Sequence, residues 1–426
     1  MQATLKSISR TALRAMTALI VLTSPLGLAG CASLERRPAE PAALGPRAEP
    51  DIAGCVPASA GGEVGPCRFL VERDTTGFIE EAKASVGREV AWWSASGHQG
   101  PAPTLNMLAI SGGGDDGAFG AGLLVGWSEA GTRPDFKVVT GISTGALAAP
   151  FAFLGSGYDD KLTSVYTRVT QKDIFVPRGL LAGLFSDAMS DTTPLYRLVE
   201  RYVDRSLLDA IAGEYARGRL LLIGTTNLDT MEPVIWNMTA IAASKDPEAV
   251  TLFRKILLAS SAIPAAFPPV MIDVMANGAH YQEMHVDGGA MAQVFVYPPA
   301  LSIRQEVATH GVERDRVVYV IRNARLDPEG ASVRRSTLPI ATRAVSSLIQ
   351  TQGIGDLYRI YALAHRDHVD FNLAYIPSTF DVPRKQQFDT VYMQALFKQG
   401  HDMAVAGYPW EKFPPGYNGD LRLSPR

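Results

Sequence analysis

The chain has 426 residues, 46% of them hydrophobic, and a formal net charge of −3. That length and apolar content suit one large α/β domain with additions, or two domains, around a sizeable core. A mildly acidic balance argues against nucleic acid as a partner.

The first thirty residues carry Lys6, Arg10 and Arg14 and no acidic residue, followed by an apolar run over about 15–22 and small residues up to Cys31. This pattern predicts a secretory signal over 1–30, too short for a comfortable membrane span. Leu28-Ala29-Gly30-Cys31 resembles the bacterial lipobox, whose cysteine is acylated and heads the mature chain. Ala32 stands where aspartate would imply retention at the inner membrane, so the outer membrane is the expected address within the cell envelope. Buried acyl chains contribute about 0.8 kcal/mol per methylene, enough for a lipidated Cys31 to hold the protein on a bilayer without a transmembrane helix. Of the three cysteines, Cys55 and Cys67 remain, twelve positions apart. An even pair in an oxidising envelope predicts a disulfide, with two free thiols as the alternative. Two cysteines alone do not make a zinc site, so no metal is expected, and nothing calls for an organic cofactor. Residues 31–70, rich in Pro, Ala and Gly, read as a lipidated tether, and 71–426 as the folded part.

A short helix is predicted over 78–86, with Trp92 and Trp93 packed on the domain. The apolar run 105–110 between Pro103 and a cluster of glycines reads as a buried strand. A helix over 117–130, a strand over 136–140 and a helix over 144–153 follow, the last interrupted by Pro150. Further helices are predicted near 195–203, 248–260, 340–363 and 386–405, and strands over 220–224, 281–286 and 317–321. This alternation points to an α/β fold, a mostly parallel sheet with helices on both faces.

Three stretches carry chemistry. The first is Ser111-Gly112-Gly113-Gly114-Asp115-Asp116-Gly117, between the first strand and its helix. Backbone amides unshielded by side chains, beside a helix N-terminus, form a cradle for negative charge. A pyrophosphate would need an acidic residue at the end of the second strand, and Asp135 stands before that strand instead. The oxyanion of an acyl-transfer transition state is the better fit. The second stretch, Gly141-Ile142-Ser143-Thr144-Gly145, sets a serine between glycines where a strand turns into a helix. A serine attacks an ester only with a base to take its proton. Among seven histidines, His365 and His401 could serve in a triad, but neither has a strand-end setting. The third stretch, Val286-Asp287-Gly288-Gly289, ends a predicted strand with a carboxylate that a tight turn can aim, or that merely caps the turn. His285, two residues before Asp287, reads as a supporting or structural residue.

A glycine loop after the first strand, G-x-S-x-G after the second and a later D-G-G resemble the patatin-like phospholipase family. Thr225-Thr226-Asn227-Leu228-Asp229-Thr230 and Ala259-Ser260-Ser261-Ala262-Ile263-Pro264 add to the resemblance, which covers about 105–289 in the family's order. It implies a three-layer α/β fold and a lipid acyl hydrolase. Ser143 would be the nucleophile, Asp287 the base, and the amides of Gly112, Gly113 and Gly114 the oxyanion hole. Its substrate would be an acyl lipid. One departure is Asp115 and Asp116, where the family loop commonly carries Arg or Lys; they are expected to weaken oxyanion stabilisation and to disfavour anionic head groups. A His-dependent esterase or thioesterase and a non-catalytic lipid-binding lipoprotein are the alternatives. Residues after Asp287 offer no motif, only helices that could form a lid or a membrane-docking face.

Overall fold

The computed structural model describes residues 36–38, 49–50, 52, 55, 64–73, 75–98, 102–179, 186–276, 278–310, 313–328, 330 and 332–417. The predicted signal, Cys31 and most of the predicted tether lie outside the described residues.

Eight strands matter for the site. They are β1 (Leu105–Ile110), β2 (Val138–Gly141), β3 (Leu220–Asn227), β4 (Glu232–Asn237), β5 (Val270–Ala276), β6 (Ala279–Asp287), β7 (Arg316–Arg322) and β8 (Asp370–Tyr375). The main sheet runs Glu49–Pro50, β5, β6, β3, β2, β1, β7, β8. β8, β7, β1, β2 and β3 are mutually parallel, whereas β6, β5 and Glu49–Pro50 run antiparallel at one side. β4 lies antiparallel on the other edge of β3 and carries the two-residue strand Arg68–Phe69. All eight residues of β3 are buried, which a strand achieves only when both faces are covered, so the arrangement is a three-layer α/β fold.

β3 has two neighbours along one edge. β2 pairs with its first half, Gly141 opposite Ile223, and β6 with its second half, Asp287 opposite Thr225. The C-terminal ends of β2 and β6 therefore meet head-on, and this places the serine turn beside the Asp-Gly-Gly turn.

Six helices recur below: α1 (Thr76–Ala95), α2 (Gly117–Glu129), α3 (Thr144–Leu154), α4 (Ala249–Ser260), α5 (Thr337–Arg366) and α6 (Thr390–Val405). The predicted 78–86 helix is longer because it runs on through Trp92 and Trp93, where Trp93 stacks on His98 at 4.2 Å and Arg217 lies over Trp92. α3 continues through Pro150. Sequence reading missed β4, β5 and β8, short strands at the sides of the sheet.

Trp127 of α2 meets Phe136, Tyr319 and Trp410 edge-on or tilted, with ring centres 4.9–5.9 Å apart, a cluster that ties α2 to the sheet and to the C-terminal segment. Cys55 and Cys67 are disulfide-bonded and buried. Arg36, close after the predicted lipidation site, pairs with Asp229 at 2.5 Å, and the Arg37 carbonyl accepts from the Gln282 amide. Among the described residues no helix is long and apolar enough to cross a membrane.

Candidate active site

Ser143 occupies the turn between β2 and α3 with φ 55° and ψ −124°, a backbone conformation that costs a non-glycine residue about 1–3 kcal/mol. The surroundings hold it there. Its amide donates to Ser260 Oγ at 3.0 Å, Ser260 donates on to the Gly224 carbonyl at 2.7 Å, and Ser261 Oγ donates to the Ser143 carbonyl at 3.3 Å. A side chain at Gly145 would overlap the Ile110 carbonyl, so only glycine lets α3 lie this close to β1. The N-terminus of α3 points its positive end at the serine.

Asp287 is fully enclosed at the end of β6. Burial pushes its carboxyl up to about 6, against smaller opposing effects of a hydrogen bond with the Ser143 side chain and one from the Gly289 amide. The latter measures 2.7 Å to Oδ1. Its backbone is pinned on both sides, the amide donating to the Ala262 carbonyl at 2.9 Å and the carbonyl accepting from Thr226 Oγ1 at 3.1 Å. A carboxylate so perturbed is a better proton acceptor than a solvated one, and remains ionised at neutral pH.

The glycine loop also reaches this point, since a Cβ on Gly112 would lie 3.2 Å from Ser143 Cβ. Of the three amides expected to form an oxyanion cradle, that of Gly112 donates to the Gln293 carbonyl at 3.1 Å, whereas among the described residues those of Gly113 and Gly114 meet no acceptor. Gly113 has φ 155° and its α-carbon lies against the Asn323 backbone, so a side chain there would be both strained and in collision. Asn323, buried just beyond β7, staples the loop through three bonds. Its side-chain amide donates to the Ser111 carbonyl at 3.0 Å, its Oδ1 accepts from the Gly120 amide at 3.0 Å, and its own amide donates to Ser111 Oγ at 2.8 Å.

Asp115 and Asp116 are engaged with the C-terminal region. Arg384 Nη1 lies 2.8 Å from Asp115 Oδ1 and 3.8 Å from Asp116 Oδ1. The Phe388 amide donates to Asp115 Oδ2 at 2.9 Å, and the Tyr392 hydroxyl to Asp116 Oδ1 at 2.6 Å. A cation thus stands at this loop after all, supplied by Arg384 from far along the chain. The expected repulsion of anionic head groups is correspondingly reduced.

The histidines have other duties. His285 bonds Thr225 at 2.9 Å and Glu283 at 3.1 Å, and burial lowers its basicity. Burial would raise the Glu283 carboxyl, but the Arg68 guanidinium at 2.6 Å overrides this and holds it at about 2. His401 binds Glu129 at 2.8 Å, and His365 packs near Tyr361 on α5. Sequence reasoning missed Asn323, Gln293 and Arg384, whose partners lie far away in the chain; Ser260 and Ser261 were inside a recognised motif, but without a role. No metal-ligand cluster is found among the described residues.

Residues 108–299 match the family model described as patatin-like phospholipase. Comparison with the curated proteins finds no relative by sequence. Solved structures with some likeness include VipD from Legionella pneumophila, 11% identical with TM-score 0.31, covering 72% of this chain and 66% of that one. Human GIVD cytosolic phospholipase A2 is 12% identical with TM-score 0.28, covering 66% and 50%. ExoU from Pseudomonas aeruginosa, solved in complex with SpcU, is 13% identical with TM-score 0.28, covering 72% and 52%. The chain spans between half and two thirds of the length of these three, and scores this low carry no functional weight.

Proposed function

We propose that this chain, whose residues 108–299 are a patatin-like phospholipase domain, hydrolyses carboxylic esters of acyl lipids through a Ser143–Asp287 dyad. The family match supports lipid ester hydrolysis. The observation that carries the finer reading is the enclosed Asp287, hydrogen-bonded with Ser143 and raised to about 6.

As Ser143 Oγ attacks the ester carbonyl carbon, Asp287 takes its proton, and the carbonyl electron pair moves onto oxygen. The resulting oxyanion faces the amides of Gly113 and Gly114, fixed donors that need no reorganisation. Collapse expels the alcohol, which takes the proton from Asp287 and leaves acyl-Ser143. Water then gives a proton to Asp287 and attacks the acyl carbon; the fatty acid departs as Ser143 recovers its proton. The dyad dispenses with an imidazole, in keeping with histidines engaged elsewhere. Attachment to a bilayer through a lipidated Cys31 belongs to the same reading, with the lipobox-like residues as its support; loss of fatty-acid labelling in Cys31→Ser tests it.

The test of the chemistry is hydrolysis of a lipid panel, with fluorophosphonate labelling, by wild type, Ser143→Ala and Asp287→Asn. Both variants are expected to lose turnover by about a thousandfold or more, and Ser143→Ala to lose the label. Turnover retained in either, or a wild type that is folded yet never labelled, would overturn the dyad.

A further inference from the structure

Helix α5 is 30 residues long, yet only its second half packs on the domain. Gly353, Asp356, Leu357 and Ile360 are buried, whereas residues 332–337, 340–342 and 344–349 are exposed and Pro339 and Arg343 half-buried. Ile340, Ala344 and Leu348 recur at i, i+4 and i+8, flanked by Ala341 and Val345, so one side of the exposed half is an apolar stripe. Leu348 is 69%, Val345 53% and Ile340 50% exposed, three large apolar residues within one short stretch of helix. Thr342, Arg343 and Ser346 take the opposite side. No acidic residue occurs from 330 to 355, while Arg334, Arg335 and Arg343 fall within that stretch of an otherwise acidic chain. An apolar stripe with arginines and no carboxylates matches an anionic lipid interface in both properties.

Its place in the fold is equally specific. Where the exposed half begins, Gln350 accepts from Arg322 at 2.9 Å and donates to the Arg325 carbonyl at 3.1 Å. Arg322 ends β7 at the same end of the sheet from which β1 feeds the glycine loop. Nearly two turns further, Asp356 accepts the Gln293 amide at 2.7 Å, and it is the Gln293 carbonyl that holds Gly112. Met291 and Ile263, flanking the Asp287 turn, are also exposed apolar residues.

We propose that residues 337–349 of α5 dock the domain on an anionic phospholipid surface, the Ile340–Leu348 stripe entering the acyl boundary and Arg334 and Arg335, just before the helix, meeting the phosphates. This turns the Ser143 end of the sheet toward the bilayer. The orientation rests on the acyl-lipid reading of Ser143; the docking itself is measured without hydrolysis.

The probe is the full chain with Cys31→Ser, carrying bimane on Leu348→Cys or, on the polar side, on Ser346→Cys. Vesicles are phosphatidylcholine alone or with about one-third phosphatidylglycerol. The emission of the Leu348 label is expected to shift to the blue on the anionic vesicles while the Ser346 label stays in water. Arg334→Glu with Arg335→Glu should raise the vesicle concentration required by about tenfold or more. No shift at position 348, equal shifts at both positions, or a shift that follows protein concentration without vesicles, the sign of a second copy on the stripe, overturns docking. Separately, Ile340→Asp with Leu348→Asp should leave turnover of a soluble short-chain ester unchanged and cut vesicle-lipid hydrolysis by about tenfold or more. If the label inserts but no ester is cleaved, the Ser143 reading fails and docking stands; if soluble ester is cleaved but the label never inserts, the reverse holds.

Discussion

Replacing Asp287 by asparagine should abolish turnover and, at neutral and alkaline pH, make the protein more stable. The folded carboxyl titrates near 6 against an ordinary value of 3.8, because burial penalises its charge. The folded state therefore holds this proton more tightly than the unfolded chain. Between pH 3.8 and 6 it binds more protons than the unfolded state, so stability falls as pH rises through that window and the loss is complete above it. A difference of roughly two pH units corresponds to about 3 kcal/mol. Asparagine carries no charge to bury. Its Oδ1 can keep the Gly289 bond, and its amide can donate to Ser143 Oγ. The variant is expected to melt about 6 °C above wild type at pH 8, using about 2 °C per kcal/mol for a domain of this size, with the gap closing toward pH 4. Thermal unfolding of both proteins across pH 4–8 measures it. Equal melting temperatures at pH 8, or a less stable variant there, would refute the claim that a buried, ionised Asp287 strains the fold.

The same titration predicts that kcat/KM on a soluble ester falls about tenfold per pH unit below about 6 and is flat above it; a profile flat down to pH 5 would deny Asp287 the role of base. Asn323→Ala removes two side-chain bonds from the glycine loop and should lower kcat by about tenfold or more while moving KM little, since it acts on the oxyanion cradle and not on substrate binding. Steady-state kinetics decide this. Arg68→Ala leaves Glu283 buried without its cation and should cost about 3–5 kcal/mol in denaturant unfolding, whereas replacing Arg68 and Glu283 together by apolar residues should cost much less. Cys55→Ser with Cys67→Ser releases a link twelve positions long, for a loss of about 3 kcal/mol measured the same way.

Much of the centre was legible because its chemistry is local. Asp287 ends β6 and is followed by two glycines, and Ser143 stands just past β2 between Gly141 and Gly145, an abrupt change of period that few structural roles demand. The glycine loop announces itself in the same way. What holds these pieces was not legible. Asn323 reaches Ser111 across 212 positions and Arg384 reaches Asp115 across 269, so each is an ordinary polar residue until the sheet order brings it into place. Reading Asp115 and Asp116 alone left the loop without a cation, since nothing local tells that Arg384 returns to it. The bond from the Gly112 amide to the Gln293 carbonyl was hidden for a similar reason, because Gln293 follows the Asp287 turn. β4, β5 and β8 lie beside central strands and lack the long apolar run that marked β1. The apolar content of α5 was visible in its sequence, but periodicity reveals a stripe without telling whether anything covers it.

Both members of the proposed dyad take their position from one strand: Gly141 pairs with Ile223 and Asp287 with Thr225. β3 is thus a ruler against which serine and carboxylate are measured, and the 143 residues that separate them in sequence do not enter that measurement. Insertions into the helical stretch between α3 and β3 can lengthen the chain without changing the gap between Ser143 and Asp287. A slip of β3 by a single pair would instead turn every side chain on it to the other face. Relatives of this chain can accordingly vary freely in size between the two turns, while the eight residues of β3 tolerate substitution but neither insertion nor deletion.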